Sequence, residues 1–183
     1  MKVSREQVAE HKKRILDAAA RLFRLRGFEG VTVAEVMKEA GLTHGAFYGH
    51  FASKEALVAE AVRRALASSA ARFKRTIPAA SFADGYLSAR QRDDRGESCA
   101  FSSLGTEASR GSAELRREMT EAVRRQIDRL GEETAGETAR EKRRAAIAAW
   151  SAMVGAMVLA RIVDDDKLSR EILSETRASL PLA

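Results

Sequence analysis

The sequence predicts an all-α protein, and three observations carry that expectation. Hydrophobic residues make up 45% of the 183, with only 2 Pro and 12 Gly among them and many Ala, Leu, Arg and Glu, which are strong helix formers. Runs of Val, Ile and Thr of the kind that form strands are absent. Gly, Pro, Ser and Thr recur instead at the places where a series of helices would need to start and stop. The length suits one ordinary domain, or a small module fused to a larger one.

The first helix is expected over residues 4–26. Val8, Ile15, Ala19, Leu22 and Phe23 recur at helical spacing as a core face, and Lys12, Lys13, Arg14, Arg21 and Arg24 make much of the remaining surface basic. Gly27 stands where a left-handed C-cap is wanted, with Phe28 folding back as an apolar contact. Thr32 and Glu35 have capping-box spacing, a cap worth about 1 kcal/mol. The helix begun there turns Val33, Val36, Met37 and Ala40 inward, and it ends at Gly41 with Leu42 as a core plug. Thr43 is the cap candidate of a third helix over 44–51, so two helices are separated by a very short turn. That spacing forces a sharp angle, the geometry of a helix-turn-helix.

The third helix has an unusual composition. Phe47 and Phe51 lie four apart and can enter the core together, which leaves Tyr48 and His50 outside. Gly45, Ala46 and Gly49 make it thin, and each glycine costs about 1 kcal/mol relative to Ala in a helix interior. Close approach to another backbone would explain that cost. Ser53 then caps a long helix over 54–76, with Leu57, Ala61, Arg64, Ala65 and Leu66 along one side.

Ile77 and Pro78 end that helix, and a short one is expected over 82–92. The polar loop 93–98 reads as a flexible connection. Helices follow over 101–110 and 112–130, broken at Gly111, the second with Leu115, Met119, Val123, Ile127 and Leu130 on one face. After a break at 131–136 comes the longest apolar-rich helix, 137–163, and then a last one over 168–180. There is no internal repeat or low-complexity tail.

Charge is unevenly distributed. Residues 1–75 hold 15 Lys or Arg against 8 Asp or Glu, a net +7, while the remainder holds 17 against 18, a net −1. His11, His44 and His50 also fall in the basic part. A localised positive charge fits a polyanionic partner, and taken alone would also fit an anionic membrane surface. The single cysteine, Cys99, has no partner for an intramolecular disulfide, and the first residues lack the apolar core of a signal peptide, so a cytoplasmic setting is expected. The uncharged run 145–160 is 16 residues dominated by Ala, short of the roughly 20 strongly apolar residues of a span, so a buried helix is expected and no membrane partner.

Residues 32–57, TVAEVMKEAGLTHGAFYGHFASKEAL, resemble the DNA-binding motif of the tetracycline-repressor (TetR) family. That pattern is a Thr-capped helix, an Ala-Gly-Val/Leu turn, Ser or Thr, small residues, aromatic-Tyr-X-His-Phe, a short break and Lys-Glu-X-Leu. The likeness extends back through ILDAAARLFRLRGFEG, residues 15–30, and covers roughly a quarter to a third of the chain. Gly49 stands where the family often has a second aromatic. The resemblance implies a three-helix DNA-binding domain over residues 1–53, followed by a helical effector-binding and dimerisation domain over 54–183.

Binding to duplex DNA requires phosphate donors that fix the register and side chains that reach base edges. Thr32 and Thr43 offer hydroxyls at helix N-termini, and Tyr48, His50 and Lys54 add donors. By the resemblance, Thr43, Tyr48, His50 and Lys54 grip the backbone, while His44, Gly45 and Ala46 face bases in the major groove and Gly49 lies beside them at the backbone. A homodimer on a palindromic operator, with half-sites about one turn or a multiple apart, is expected. The resemblance places its interface in the last two helices, where Ala148, Ala152, Gly155, Ala156 and Leu159 form a small-residue stripe beside Ile172 and Leu173.

For a small apolar effector, Phe82, Tyr86, Phe101, Met119, Trp150 and Met153, with Met157, are the candidate cavity lining, although each also suits a plain core. Cys99 lies between a charged loop and a helix start, where a thiol can become reactive. The leading expectation is a ligand-released repressor. The alternatives are a regulator sensing redox state through Cys99, or a basic helical interaction module without sequence-specific DNA binding. No enzyme is expected, since there is no Gly-rich phosphate loop, no zinc-like Cys and His spacing and no partner for Cys99. Neither a cofactor nor a metal is expected, and the acids at 164–166 read as a solvated loop.

Overall fold

The computed structural model describes residues 4–72 and 77–182, and the described chain is helical throughout, apart from one isolated bridge between Thr134 and Leu182. Helix α1 (Arg5–Arg26) starts with a capping box in which Ser4 accepts the amide of Gln7 and Gln7 accepts that of Ser4. It ends at Gly27, whose φ of 76° is in the left-handed region and whose N–H donates to the Phe23 carbonyl at 2.7 Å. A Cβ on Gly27 would also lie 2.4 Å from Oε1 of Glu107, the carboxylate that accepts the Phe28 amide. Two requirements therefore meet on one glycine. Ile15, Ala18, Ala19 and Phe23 fill the core. Val8, expected among them, is 42% exposed, because the first turns of α1 project beyond the core.

Helix α2 (Val33–Glu39) has the expected capping box, with the Glu35 amide on the Thr32 hydroxyl at 3.2 Å and the Thr32 amide on the Glu35 carboxylate at 2.8 Å. Hydrogen bonds from Thr32, and then the guanidinium of Arg26, hold the Glu35 carboxyl down at about 2. Because that value lies below the ordinary 4.5, the stabilisation is present above pH 4.5 and is lost as pH falls toward 2. The chain turns at Gly41, φ 67°, while Leu42 donates back to the Met37 carbonyl and Arg14 of α1 caps the Ala40 carbonyl. Residues 44–51, expected as an α-helix, instead form a 3-10 helix, His44–Gly49. Two glycines in six residues, both open to solvent, weaken regular α geometry there.

Helix α3 (Lys54–Arg72) begins where Ser53 accepts the Ala56 amide. The expected continuation over 73–76 lies outside the described residues. Leu57, Ala61, Ala65 and Leu66 are buried, whereas Arg64 faces out and pairs with Asp17 at 2.7 Å. The helix expected over 82–92 is two, α4 (Ala79–Tyr86) and α5 (Ala89–Asp93), because Ser88 starts a new one by accepting the Gln91 amide. The loop at 93–98 is not a loose connection. It contains a 3-10 turn, Arg95–Glu97, pinned to α1 by buried Arg24, whose Nε donates to the Gly96 carbonyl at 2.7 Å.

Four more helices complete the chain: α6 (Ala100–Ser109), α7 (Ala113–Gly131), α8 (Ala139–Ile162) and α9 (Asp166–Ser179). One buried cluster joins α1, α2, the 3-10 helix and α3 to Leu104 and Ala108 of α6 and Leu115 and Ala122 of α7. A second gathers α4 and α8 with Leu130, Leu173 and Leu180, and Phe101 packs against both. Helix α8 is long and apolar enough to cross a membrane, and in this fold it runs between α7 and α9 with Ala146, Trp150, Met153 and Met157 in the second cluster.

The turn after α2 is the tightest point. A Cβ on Gly41 would meet Arg14 Nη2 at 2.5 Å in addition to the left-handed φ. Gly41→Ala is expected to lower unfolding stability by about 1 to 2 kcal/mol, read from the midpoint of a urea titration with an unchanged slope.

Candidate nucleic-acid interface

The segment after the turn is built from the inside outward. Phe47 and Phe51 are 1% and 4% exposed, with stacked rings 5.6 Å apart. Burying them leaves residues between them no choice of direction. Tyr48 stands 70% exposed, its ring braced edge-on by Phe47 at 5.3 Å and by His44 at 6.2 Å. Thr43, His44, Gly45 and Gly49 are exposed, and Ala46 is half-buried against the core. A Cβ added at Gly45 or at Gly49 would touch nothing within 4 Å. Packing within the chain therefore gives no reason for either glycine, and the two keep this face flat.

Two expected roles are altered. The Thr43 side chain makes no capping hydrogen bond, since the first turn it precedes is 3-10 and short, and so its hydroxyl is exposed for an outside partner. The Thr32 hydroxyl donates to the Glu35 carboxylate at 2.8 Å, so it could serve a phosphate only by leaving its own cap. Lys54 is half-buried at the rim of a groove with Phe28, Glu29 and Gly111.

His50 is half-buried beside His11, with ring centroids 6.3 Å apart. Burial, followed by the nearby positive charges of His11 and Lys12, pushes its pKa below the ordinary 6.5. The expected basic face of α1 is largely used inside the molecule. Lys12 pairs with Glu60 at 2.7 Å and lies over the Phe51 ring, Arg21 pairs with Glu39, and Arg14 caps α2. Arg24 is not on that surface at all, being 7% exposed.

In the C-terminal part, Phe82, Tyr86 and Met153 are deep in the second cluster, and Met157 with them. The Tyr86 hydroxyl lies beside Cys99 and Ser102 but makes no well-formed hydrogen bond among the described residues. Phe101 and Trp150 meet edge-on at 5.6 Å and divide two spaces. On one side is a half-open recess of about 120 Å³, and on the other a more open groove of about 780 Å³ that Met119 also lines. A neighbouring chamber of about 320 Å³ shares Ser69 and Cys99 with the smaller recess. Cys99, at the start of α6, is 4% exposed. Among the described residues no group of three or more His, Cys, Asp or Glu could hold a metal ion. The sequence gives no sign that Arg125, Gln126 and Arg129 line the smaller recess, because polar residues on an amphipathic helix carry no such signal.

The small-residue stripe of α8 divides. Ala156, with Leu173 of α9, is buried within the subunit, whereas Ala148, Ala152 and Leu159 are exposed. Beside them Ile147, Val158, Ile162 and Leu168 are also exposed, Ile162 by 70%.

Residues 15–61 match the sequence model of a family described as bacterial regulatory proteins, tetR family. The chain is 49% identical over 53 residues to the uncharacterized HTH-type transcriptional regulator YdgC of Bacillus subtilis, and 39% identical over 57 residues to the HTH-type transcriptional regulator AcrR of Shigella flexneri. These matches cover 29% and 31% of this chain and 27% and 26% of those proteins, so the chain spans about a quarter of their length. In fold it is similar along 97% of its length to all of a TetR transcriptional regulator from Chloroflexus aurantiacus, with a TM-score of 0.79 at 22% identity.

Because the folded His50 has a lowered pKa, the unfolded chain takes up the proton first, and folding stability falls as pH drops below 6.5. In His50→Gln that component is gone. Urea unfolding just above pH 6.5 and about one unit below it is expected to show a smaller loss of stability in the variant than in the native chain.

Proposed function

We propose that this chain, a member of the tetR family of bacterial regulatory proteins, is a sequence-specific DNA-binding repressor of the cytoplasm that acts as a homodimer on a palindromic operator and releases it when a small effector binds. The observation that carries the reading is the flat outer face of the 3-10 helix, where two glycines without an internal role flank an exposed Tyr48. On this reading Thr43 and Tyr48 donate to phosphates, and His44, Gly45 and Ala46 approach base edges in the major groove, with Gly49 allowing close backbone contact. His50, disfavoured as a cation in the free chain, gains a proton when phosphate lies beside it. Lys54 adds a phosphate contact once its side chain extends from its groove.

Residues 1–53 are the DNA-binding domain in this proposal, and 54–183 bind effector and dimerise. The dimer forms through α8 and α9, and the support is the exposed apolar row of Ile147, Val158, Leu159, Ile162 and Leu168. For the signal, α3 lies between the two parts and the Arg95–Glu97 turn makes a second link. Arg24 of α1 holds both the Gly96 carbonyl and the Glu97 carboxylate, the latter at 3.4 Å, and Glu97 and Cys99 line the larger chamber. A ligand that moves this turn moves α1. It releases DNA only to the extent that it binds the DNA-incompetent arrangement better, since equal affinity for both shifts nothing.

Two outcomes test the proposal. Tyr48→Phe is expected to weaken operator binding about tenfold with little change in salt dependence, whereas Lys54→Ala is expected to reduce the salt slope by about one, both by gel shift over a salt series. Unchanged affinity in both variants would remove this face from DNA binding. Ile162→Glu is expected to convert the dimer to a monomer in sedimentation at concentrations where the native chain is dimeric, with its helical circular dichroism intact.

A further inference from the structure

Cys99 stands where two spaces of the C-terminal part meet, since it lines both the chamber of about 320 Å³ and the recess of about 120 Å³. It is also the N-cap of α6, a 10-residue helix, and its side chain makes no capping hydrogen bond. The first amides of a helix have no acceptor within it, so donors at this end of α6 point toward the cap position. That position is held in place: the Ser102 hydroxyl donates to the Cys99 carbonyl at 3.1 Å, and Arg161 donates to the hydroxyls of Ser102 and Ser103. An independent donor comes from α4. The Tyr86 hydroxyl lies beside Cys99, in a residue only 1% exposed, and among the described residues it makes no well-formed hydrogen bond. Burial pushes the Tyr86 pKa well up, so the hydroxyl keeps its proton. A buried donor left unmet is costly, and a neutral thiol is a weak acceptor where an ionised sulfur is a strong one. The surroundings therefore suit a sulfur that carries negative charge, the form that acts as a nucleophile.

From this arrangement we infer that Cys99 is a site of covalent modification and that its reagent is a small α,β-unsaturated carbonyl compound. The inference rests on the regulator proposed above and supplies the effector class that proposal leaves open. The thiol gives its proton to water, the sulfur lone pair forms a C–S bond to the β-carbon, and the C=C pair moves to leave an enolate. The α-carbon then takes a proton from water, so S–H has added across C=C with no oxidant and no leaving group. Oxidation to a disulfide within the chain lacks a second thiol, because Cys99 is its only cysteine. For the carbonyl oxygen, Ser69, Arg90 and Gln91 line the larger chamber as donors. With Cys99 only 4% exposed, the sulfur is reached by a reagent small enough to enter these spaces. The adduct then occupies the chamber that Glu97 borders, against the Arg95–Glu97 turn that Arg24 ties to α1. It acts as a signal to the extent that it fits a displaced turn better than the turn as it stands.

The full chain, without DNA, is exposed at neutral pH to methyl vinyl ketone, with butan-2-one as the saturated control, and the adduct is followed by intact mass and located by peptide mapping. The native chain is expected to add the ketone at Cys99 at least about tenfold faster than the same chain unfolded in urea, whereas burial alone would slow it. Butan-2-one should add nothing. Tyr86→Phe removes only an unmet hydroxyl, so its urea midpoint should not fall, while its native rate at Cys99 drops about tenfold and its unfolded rate stays the same. Adduct formation should weaken operator binding at least about tenfold, and in Cys99→Ser the ketone should leave operator affinity where it was. Slower addition to the native than to the unfolded chain, a fallen midpoint or an unchanged native rate in Tyr86→Phe, or an adduct that leaves operator affinity as before would each overturn the inference. A chain that selects an operator but is inert at Cys99 refutes the reagent and its site alone, whereas one that is modified at Cys99 as expected but selects no DNA refutes the regulator reading alone.

Discussion

The burial of Phe47 and Phe51 is the interaction on which the outer surface depends, because the 3-10 helix that carries Phe47 and leads into Phe51 has little means of holding itself. Six residues of 3-10 helix, whose hydrogen-bond geometry is poorer than that of an α-helix, with two solvent-facing glycines, are a poor helix in isolation. Two buried phenylalanines, at about 1.5 to 3 kcal/mol each, are enough to fix it from beneath. What faces outward is then determined by exclusion. Tyr48, with the neighbouring Thr43, His44 and Gly45, faces solvent because the ring positions that face inward are filled. A rigid, flat and thin surface results from an interaction on the opposite side of it.

Helix α1 extends this logic to the rest of the molecule. Its middle residues, Ile15 and Ala19, form the floor on which α2 and α3 rest, and its polar residues act as ties. Arg14 closes the end of α2, Arg24 grips the Arg95–Glu97 turn, and at its end Gly27 lets Glu107 of α6 take the Phe28 amide. The charges that suggest a basic surface in the sequence are thus in part structural. This gives α1 a second function in the proposed switch: its Lys12 lies over the Phe51 ring, and its Arg24 holds the turn that borders the larger chamber.

The parts of the fold that were legible in the sequence are those set by local chemistry. Thr32 and Ser53 each start a helix by accepting an amide three residues on, as does Ser4, and Gly27 has the left-handed φ its position suggested. The helical spacing of Phe47 and Phe51 placed Tyr48 outside for a physical reason. What could not be read was set by tertiary partners. Nothing local says that Arg24 is buried while Arg21 is exposed, or that residues 95–97 are clamped rather than loose. Likewise, Phe82, Phe101 and Trp150 were indistinguishable by type, yet Phe82 lies in the core while the other two border open space.

The central claim is that the face carrying Thr43, His44 and Tyr48 reads a two-fold DNA sequence, and selection of bound fragments by the purified full chain from a random duplex pool tests it most directly. The account predicts enrichment of a palindrome whose half-sites are about one helical turn or a multiple apart. Recovery of fragments at moderate salt without any common sequence would contradict it.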